Sequence, residues 1–319
     1  MHVKLEKEGK LEPISHKGVT WVDVENPTRK EMSILAQDYP FHHLNLDDCI
    51  SKIQLTKIDQ HEEYLFILVH FPSYGDQQGL VVSNQISIFL GKDYLVTLHQ
   101  GDKSLEEMFQ TCKKDEHQRQ AFMGKSSAYL LYHVIDRLVD DLFPMLDKVM
   151  SNLDDIEDKV FDERMSAVRE VSRLRREIGD LRRIVFPLRR LIADLATKAQ
   201  QFTTYDLSVY FSDIKDHIEK AWETLEEAKE SVEIFKDTDY ILSTEKTNKA
   251  LAVLTIVFTL TIPASVVGAL YGTNIRLPGG IETGAWTFFG PYTTFLIILL
   301  AAVIPALLMA WYFHRVGWF

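Results

Sequence analysis

A stripe of mainly apolar residues, with polar residues at both ends, lies on one face of a predicted helix in the C-terminal part of the chain. At 100° per residue its members are Asn248, Leu251, Leu254, Thr255, Phe258, Ile262, Ser265 and Ala269. Such a face suits an ion pore with polar mouths and a hydrophobic constriction that can dewet. It equally suits a helix-packing face on which small polar residues allow close contact. Periodicity alone does not separate these two functions.

Three short motifs resemble catalytic or metal-binding signatures, but each lacks a required residue. Gly124-Lys125-Ser126 would need a glycine at position 119 to form a phosphate-binding loop, and Arg119 stands there. His61-Glu62 begins like a zinc-protease helix whose second histidine is missing. His42 and His43 have no further spaced ligand and are typical of surface or helix-capping residues. Without a nucleophile, base and oxyanion site together, we expect no enzyme.

The stripe belongs to an almost uncharged C-terminal part, whereas the rest of the chain is acidic. The 319 residues include 35 Lys+Arg and 46 Asp+Glu, for a net charge of -11. From Ala250 onward the formal charges are those of Arg276, Glu282 and Arg315. An acidic balance argues against a nucleic-acid partner, because binding phosphates requires a basic face.

Two uncharged runs are long enough to cross a lipid bilayer, which takes about 20 apolar residues. We predict transmembrane helices over residues 250–271 and 291–313, joined by a short external loop over residues 272–290. Gly290 and Pro291 mark the predicted start of the second helix, since proline fits a first helical turn.

Basic residues flank the two predicted spans on the same side. Lys246 and Lys249 precede the first span, and Arg315 follows the second. The positive-inside rule then places both termini in the cytosol, including a basic-aromatic tail over residues 314–319. We therefore expect a multi-pass protein of the cell membrane (inner or plasma membrane).

Two kinds of pattern divide the predicted cytosolic part. Residues 1–125 alternate strand-like and helix-like signals, which predicts an α/β domain. The predicted strands include Val19–Val24, Tyr64–Phe71, Ile86–Leu90 and Tyr94–Leu98, and a capped helix is predicted over Thr28–Gln37. Residues 126–249 contain few helix breakers and predict a long helical bundle with a stalk helix.

Two apolar seams in the helical part recur at spacings of three and four residues. They indicate helices packed along their lengths in a coiled-coil manner. The second seam leads toward the first span, so we predict one helix of ~90 Å from Leu207 to Gly268. The first seam comprises Val171, Leu174, Ile178, Leu181, Val185, Leu188, Ile192 and Leu195. The second comprises Leu207, Phe211, Ile214, Ile218, Ala221, Leu225, Ala228, Val232 and Phe235.

The end of the first span carries the sequence Tyr271-Gly272-Thr273-Asn274. Here the chain resembles the CorA family of divalent cation transporters, whose signature at this place is Tyr-Gly-Met-Asn. The resemblance extends over nearly the whole chain. It also includes Asn248, Leu254-Thr255-Ile256, Pro263, Gly268, His43–Asp48 followed by Tyr64-Leu65-Phe66, Leu181–Arg183 with Pro187–Arg189, and His314–Phe319.

The resemblance implies a homopentamer with a cytosolic α/β domain, long helices and a five-fold pore lined by the first span. An oligomer is also required physically, because two spans cannot enclose a water-filled path. By motif position Gly272, Thr273 and Asn274 form the outer selectivity filter, with Tyr271 as the signature aromatic residue. The implied pore-lining residues are Asn248, Leu251, Leu254, Phe258, Ile262 and Ser265.

The resemblance further implies uptake of Mg²⁺, with Co²⁺ and Ni²⁺ as further substrates, and closure by Mg²⁺ bound between cytosolic domains. Asp237 occupies about the place of a regulatory acidic ligand in that family. Glu282 is a candidate for concentrating cations at the entrance. The implied partners are further copies of the chain, the lipid bilayer and divalent cations, with no organic cofactor.

Two alternative functions stay open. A proton-coupled Zn²⁺ transporter of the ZntB type is one, although the stripe contains no His or Cys, the ligands that zinc prefers. The other is a non-conducting, membrane-anchored divalent sensor or scaffold. It is suggested by Thr273, which stands where the family signature has methionine.

Overall fold

The computed structural model describes residues 13–51, 54–75, 81–162, 167–273, 277–280 and 283–317. The chain divides into two compact units, Met1–Asp237 and Thr238–Phe319. The first contains a mixed sheet and most of the helices. The second contains the two apolar helical segments.

The sheet has six strands in the order β1-β2-β6-β5-β4-β3. Strands β2 and β6 pair in parallel, and the other neighbouring strands pair antiparallel. The strands are β1 (Ile14–His16), β2 (Val19–Glu25), β3 (Lys57–Gln60), β4 (Tyr64–Tyr74), β5 (Val81–Gly91) and β6 (Tyr94–His99). The four predicted strands are confirmed, and all four extend beyond their predicted ends.

Within the described residues, four short helices and four longer ones accompany the sheet or follow it. The short ones are α1 (Arg29–Asp38), α2 (His43–Ile50), α3 (Lys103–Lys114) and α4 (Glu116–Met123). The longer ones are α5 (Ser127–Asp140), α6 (Leu142–Phe161), α7 (Val168–Ala199) and α8 (Ser208–Tyr271). The capped helix predicted over Thr28–Gln37 is confirmed as α1, and Thr28 caps it in a capping box with Glu31. His42 caps α2, since its Nδ1 accepts the Leu44 N–H at 3.3 Å.

Strand β4 is covered on both faces, which explains its continuous apolar run. Leu65, Ile67 and Val69 face a large cluster that also contains buried residues of α3, α5, α6, α7 and α8. Phe66 and Leu68 face a smaller cluster with buried residues of α1 and α2. One hydrophobic core is therefore continuous between the sheet and the long helices.

Both predicted seams are buried, from Val171 to Leu195 on α7 and from Leu207, the residue before α8, to Phe235 on α8. Two ion pairs link the same two helices: Arg182 with Glu226, and Arg189 with Glu219. The side chains of Arg189 and Glu219 are 29% and 35% exposed. The Trp222 ring lies 5.1 Å from each of these guanidinium groups. Apolar seam and flanking polar contacts together hold α7 against α8.

A buried polar group joins the parallel strands β2 and β6. The Thr97 hydroxyl donates to Asp23 at 2.5 Å, and Trp21 Nε1 donates to Thr97 at 3.0 Å. His99 Nδ1 accepts the Asp102 N–H at 2.8 Å, so its Nε2 carries the proton that Asp23 accepts at 3.2 Å. Each of these buried polar side chains has a partner, as burial requires.

The second unit contains the end of α8 and a further helix, α9 (Thr293–Val316). Both helices are long and apolar enough to span a membrane. The prediction of one helix through the seam and the first span is confirmed, and Pro263 lies inside it.

The ends of α9 differ from the prediction for the second span. Pro291 precedes the helix, whose N-cap is Tyr292. The residue before Pro291, Gly290, adopts a positive φ of 104°. At the other end the helix continues through His314 and Arg315, which the sequence assigned to a tail. It ends where Gly317 adopts a left-handed φ of 77°, a conformation that favours glycine.

Candidate ion pathway and cytosolic metal site

The predicted pore-lining residues form an exposed face on α8 of the single chain. Asn248, Leu251, Leu254, Phe258, Ile262 and Ser265 are all exposed. The apolar members among them are at least half exposed, so α9 does not cover this face. A face of this kind must meet lipid, another subunit or a pore.

Hydroxyl groups on this part of α8 donate their protons to their own helix. Thr255 Oγ1 donates to the Leu251 carbonyl at 2.7 Å, and Ser265 Oγ donates to the Thr261 carbonyl at 3.0 Å. Thr261 Oγ1 donates to the Val257 carbonyl at 3.0 Å. Such bonds satisfy the hydroxyl proton in an apolar environment and leave the oxygen lone pairs as acceptors.

The signature begins at the C-terminal end of α8. The Gly272 N–H donates to the Gly268 carbonyl at 2.9 Å, and a Cβ added at Gly272 would lie 3.1 Å from that carbonyl oxygen. Thr273 donates twice to the Leu270 carbonyl, from its N–H at 3.2 Å and its hydroxyl at 2.6 Å. Thr273 therefore closes the last helical turn with its hydroxyl, which a methionine could not do.

A hydrogen bond crosses from this helix end to the following loop. The Tyr271 hydroxyl donates to the Pro278 carbonyl at 3.1 Å and so links the two sides of the signature. Asn274 and Glu282, the predicted filter and entrance residues, lie outside the described residues.

Asp237, the predicted regulatory ligand, is exposed on α8. Its side chain is 71% exposed and lies 3.5 Å from Lys236, the preceding residue. The structure gathers three other potential ligands instead. Ligand atoms of Asp136, Asp140 and His217 all lie within 4.8 Å of one another.

Helices α5 and α8 position this cluster. Asp136 and Asp140 lie one turn apart on α5, and His217 faces them from α8 with its Nδ1 at 3.7 Å from Asp140. Asp213, one turn before His217, places a carboxylate oxygen 4.0 Å from its Nε2. Carboxylates and imidazole together form a donor set that fits a divalent cation.

Negative charge is concentrated in the cluster. Burial raises the pKa of the Asp136 carboxyl, and the charges of Asp140 and Asp213 raise it further. His217 and a hydrogen bond with Tyr132 act in the opposite direction. Several carboxylates in one place repel each other, so a cation between them relieves that repulsion.

Sequence reasoning missed this cluster, although two spacings signal it. Asp136 with Asp140, and Asp213 with His217, are both pairs four residues apart on helices, which places each pair on one helix face. The proximity of the two pairs depends on how α5 packs with α8, and no local pattern encodes that.

A family model described as "CorA-like Mg2+ transporter protein" matches residues 16–315. The chain belongs to this family. The fold class expected from the signature is therefore confirmed for a CorA-like chain, with an N-terminal α/β part, long helices and two C-terminal apolar helices.

Individual CorA-like relatives match over most of their length. The chain is 28% identical over 305 residues to the "Putative metal ion transporter YfjQ" of Bacillus subtilis, covering 94% of this chain and 89% of that protein. It is 25% identical over 302 residues to the "Cobalt/magnesium transport protein CorA" of Thermotoga maritima, covering 94% and 83%.

A solved CorA structure shares the fold. The complete structure of the CorA magnesium transporter from Methanocaldococcus jannaschii matches with a TM-score of 0.78 at 18% identity, covering 96% of this chain and 94% of that one. At 18% identity, this match shows only that the two chains share a fold.

Proposed function

We propose that five copies of this chain form a channel for divalent cation uptake through the cell membrane, with Mg²⁺ as the main substrate and Co²⁺ and Ni²⁺ as further substrates. The observation that carries this function is the exposed stripe of α8, which ends in the Gly272-Thr273 signature of a CorA-like chain.

The filter acts on a hydrated ion. Mg²⁺ releases its water reluctantly, so neutral oxygens can hold the ion through its water shell without trapping it. Gly272, Thr273 and Asn274 supply such oxygens in the proposed filter, and Asn248 and Ser265 supply them toward the two ends of the stripe. Leu251, Leu254, Phe258 and Ile262 form the apolar constriction between them.

The cluster of Asp136, Asp140 and His217 is the proposed regulatory cation site. A divalent cation held there joins α5 to α8, and its loss leaves the carboxylates to repel each other. Since α8 also carries the proposed pore residues, occupancy of the site can bias the open and closed states. Asp237 stays a second candidate ligand, expected from its place before Asn248.

Divalent flux into proteoliposomes tests this function. We expect the purified full-length protein to carry Mg²⁺ inward under voltage alone, and high Mg²⁺ on the cytosolic face to block that flux. Asn274→Ala should abolish flux while the oligomer stays intact by native mass measurement. Unchanged flux in this variant would contradict the filter role.

The same assay separates the alternative functions. Zn²⁺ flux that requires an imposed pH gradient would indicate a proton-coupled carrier. A stable oligomer that carries no divalent ion, yet changes conformation when Mg²⁺ binds, would indicate a sensor or scaffold.

A further inference from the structure

Thr255 interrupts the apolar middle of the stripe between Leu251 and Phe258. At 100° per residue it lies on the same face as they do, and its side chain is exposed in the single chain. We propose that Thr255 forms a further polar ring in the constriction, whose hydroxyl oxygens accept hydrogen bonds from the water shell of the passing divalent cation. This role rests on the proposed channel function.

The orientation of the hydroxyl makes Thr255 an acceptor toward the pore. Its proton is donated to the Leu251 carbonyl at 2.7 Å, so the remaining lone pairs are free to accept. Water bound to a cation points its hydrogens outward, and those hydrogens need acceptors. Water around an anion points its hydrogens inward and would need donors, so the ring favours cations.

A hydrogen-bond acceptor within the apolar constriction lowers the free-energy barrier to passage of a hydrated ion. Mg²⁺ keeps much of its water during passage because it dehydrates reluctantly. Along Leu251, Leu254, Phe258 and Ile262 that shell meets only apolar side chains, which favours dewetting. A ring of oxygens within this stretch restores hydrogen bonds to the shell without adding a charge that would trap the ion.

Thr261 provides a matched control on the same helix. Its hydroxyl also donates to the carbonyl four residues earlier, at 3.0 Å, and lies 3.0 Å from the Phe258 carbonyl as well. Its side chain is also exposed. It lies about 120° around the helix from Thr255 and about 20° beyond Leu254, which forms the opposite edge of the stripe. If hydroxyls of this kind only satisfy the helix, the two threonines are equivalent. If Thr255 contacts the ion's water shell, they differ.

The test compares Mg²⁺ flux through full-length wild type, Thr255→Val, Thr255→Ser and Thr261→Val in proteoliposomes. Valine keeps the shape of threonine and removes the hydroxyl, whereas serine keeps the hydroxyl. We expect Thr255→Val to lower flux about tenfold, the effect of roughly one hydrogen bond lost from the transition state. Thr255→Ser and Thr261→Val should stay near wild type, with all four proteins forming the same oligomer.

Each other outcome overturns the role. Equal flux in Thr255→Val and wild type, or equal losses in Thr255→Val and Thr261→Val, would reduce Thr255 to a helix-bonding residue while leaving the channel function standing. A folded, oligomeric wild type that carries no divalent ion would overturn the channel function, and the role of Thr255 with it.

Discussion

At the scale of single residues, Asp136 combines burial with neighbouring negative charge. Its raised pKa means that the ionised carboxylate costs free energy in the folded protein. Stability is therefore lost as the pH rises from the ordinary value of 3.8 through the raised value, unless a cation is bound. A metal-free protein at neutral pH carries this cost, and a divalent cation bound at the proposed site would remove it.

Asp136→Asn should therefore stabilise the metal-free, full-length protein and remove its response to Mg²⁺. We expect the melting temperature without metal to rise by roughly 2 °C, corresponding to about 1 kcal/mol after allowing for partial exposure. Mg²⁺ should raise the melting temperature of wild type but not of the variant. Thermal unfolding followed by circular dichroism with and without Mg²⁺ measures both effects.

Asp237→Asn is the control for that measurement, because its carboxylate is exposed and contacts Lys236. It should behave like wild type. If Asp237→Asn lost the Mg²⁺ response and Asp136→Asn kept it, the regulatory ligand would be Asp237 and not Asp136.

The sequence predicted the signature motif of the candidate site but not the cytosolic metal cluster. The Tyr271-Gly272-Thr273 motif was recognisable because its spacing is local. The Asp136 cluster was not, because its members lie on helices that are distant in sequence and meet only after packing. For the same reason the buried Asp23 could not be anticipated, since its partners Thr97 and His99 come from a distant strand.

At the scale of elements, the long helices were predictable because each follows one period over many residues. The seams on α7 and α8 repeat every three or four residues, and burial follows that period throughout. Strands β1 and β3 have three and four residues, too few for a period to emerge. Their places are set by pairing with β2 and β4 at the two edges of the sheet.

The α8 seam gives a stability prediction. Ile218 is fully buried, so Ile218→Ala should lower the free energy of unfolding by about 2–5 kcal/mol through lost burial and the cavity left behind. Guanidinium titration of the full-length protein in detergent measures the change.

Val209 offers the comparison on the same helix, since it is 75% exposed. Val209→Ala should change the free energy of unfolding by less than about 0.5 kcal/mol. Equal effects at Val209 and Ile218 would show that the seam does not carry the packing of α8.

At the scale of the whole molecule, the proposed pore of five subunits would make each subunit's filter part of one shared ring. When wild type is co-expressed with Asn274→Ala, Mg²⁺ uptake should fall further than the fraction of wild-type chains does. The reason is that one altered subunit changes the whole ring. Uptake by cells that express defined ratios of the two chains measures this. A strictly proportional decrease would indicate that each chain conducts by itself.

The continuous core between the sheet and the long helices also limits how this protein can evolve. Leu65, Ile67 and Val69 of β4 share one cluster with Leu130 and Leu131 of α5, on opposite sides of the predicted boundary between residues 125 and 126. A gene fusion or recombination at that boundary would separate two halves of one apolar interior. The sheet and its helices must therefore be inherited together, and new regulatory inputs are expected as insertions in surface loops rather than as exchanged domains.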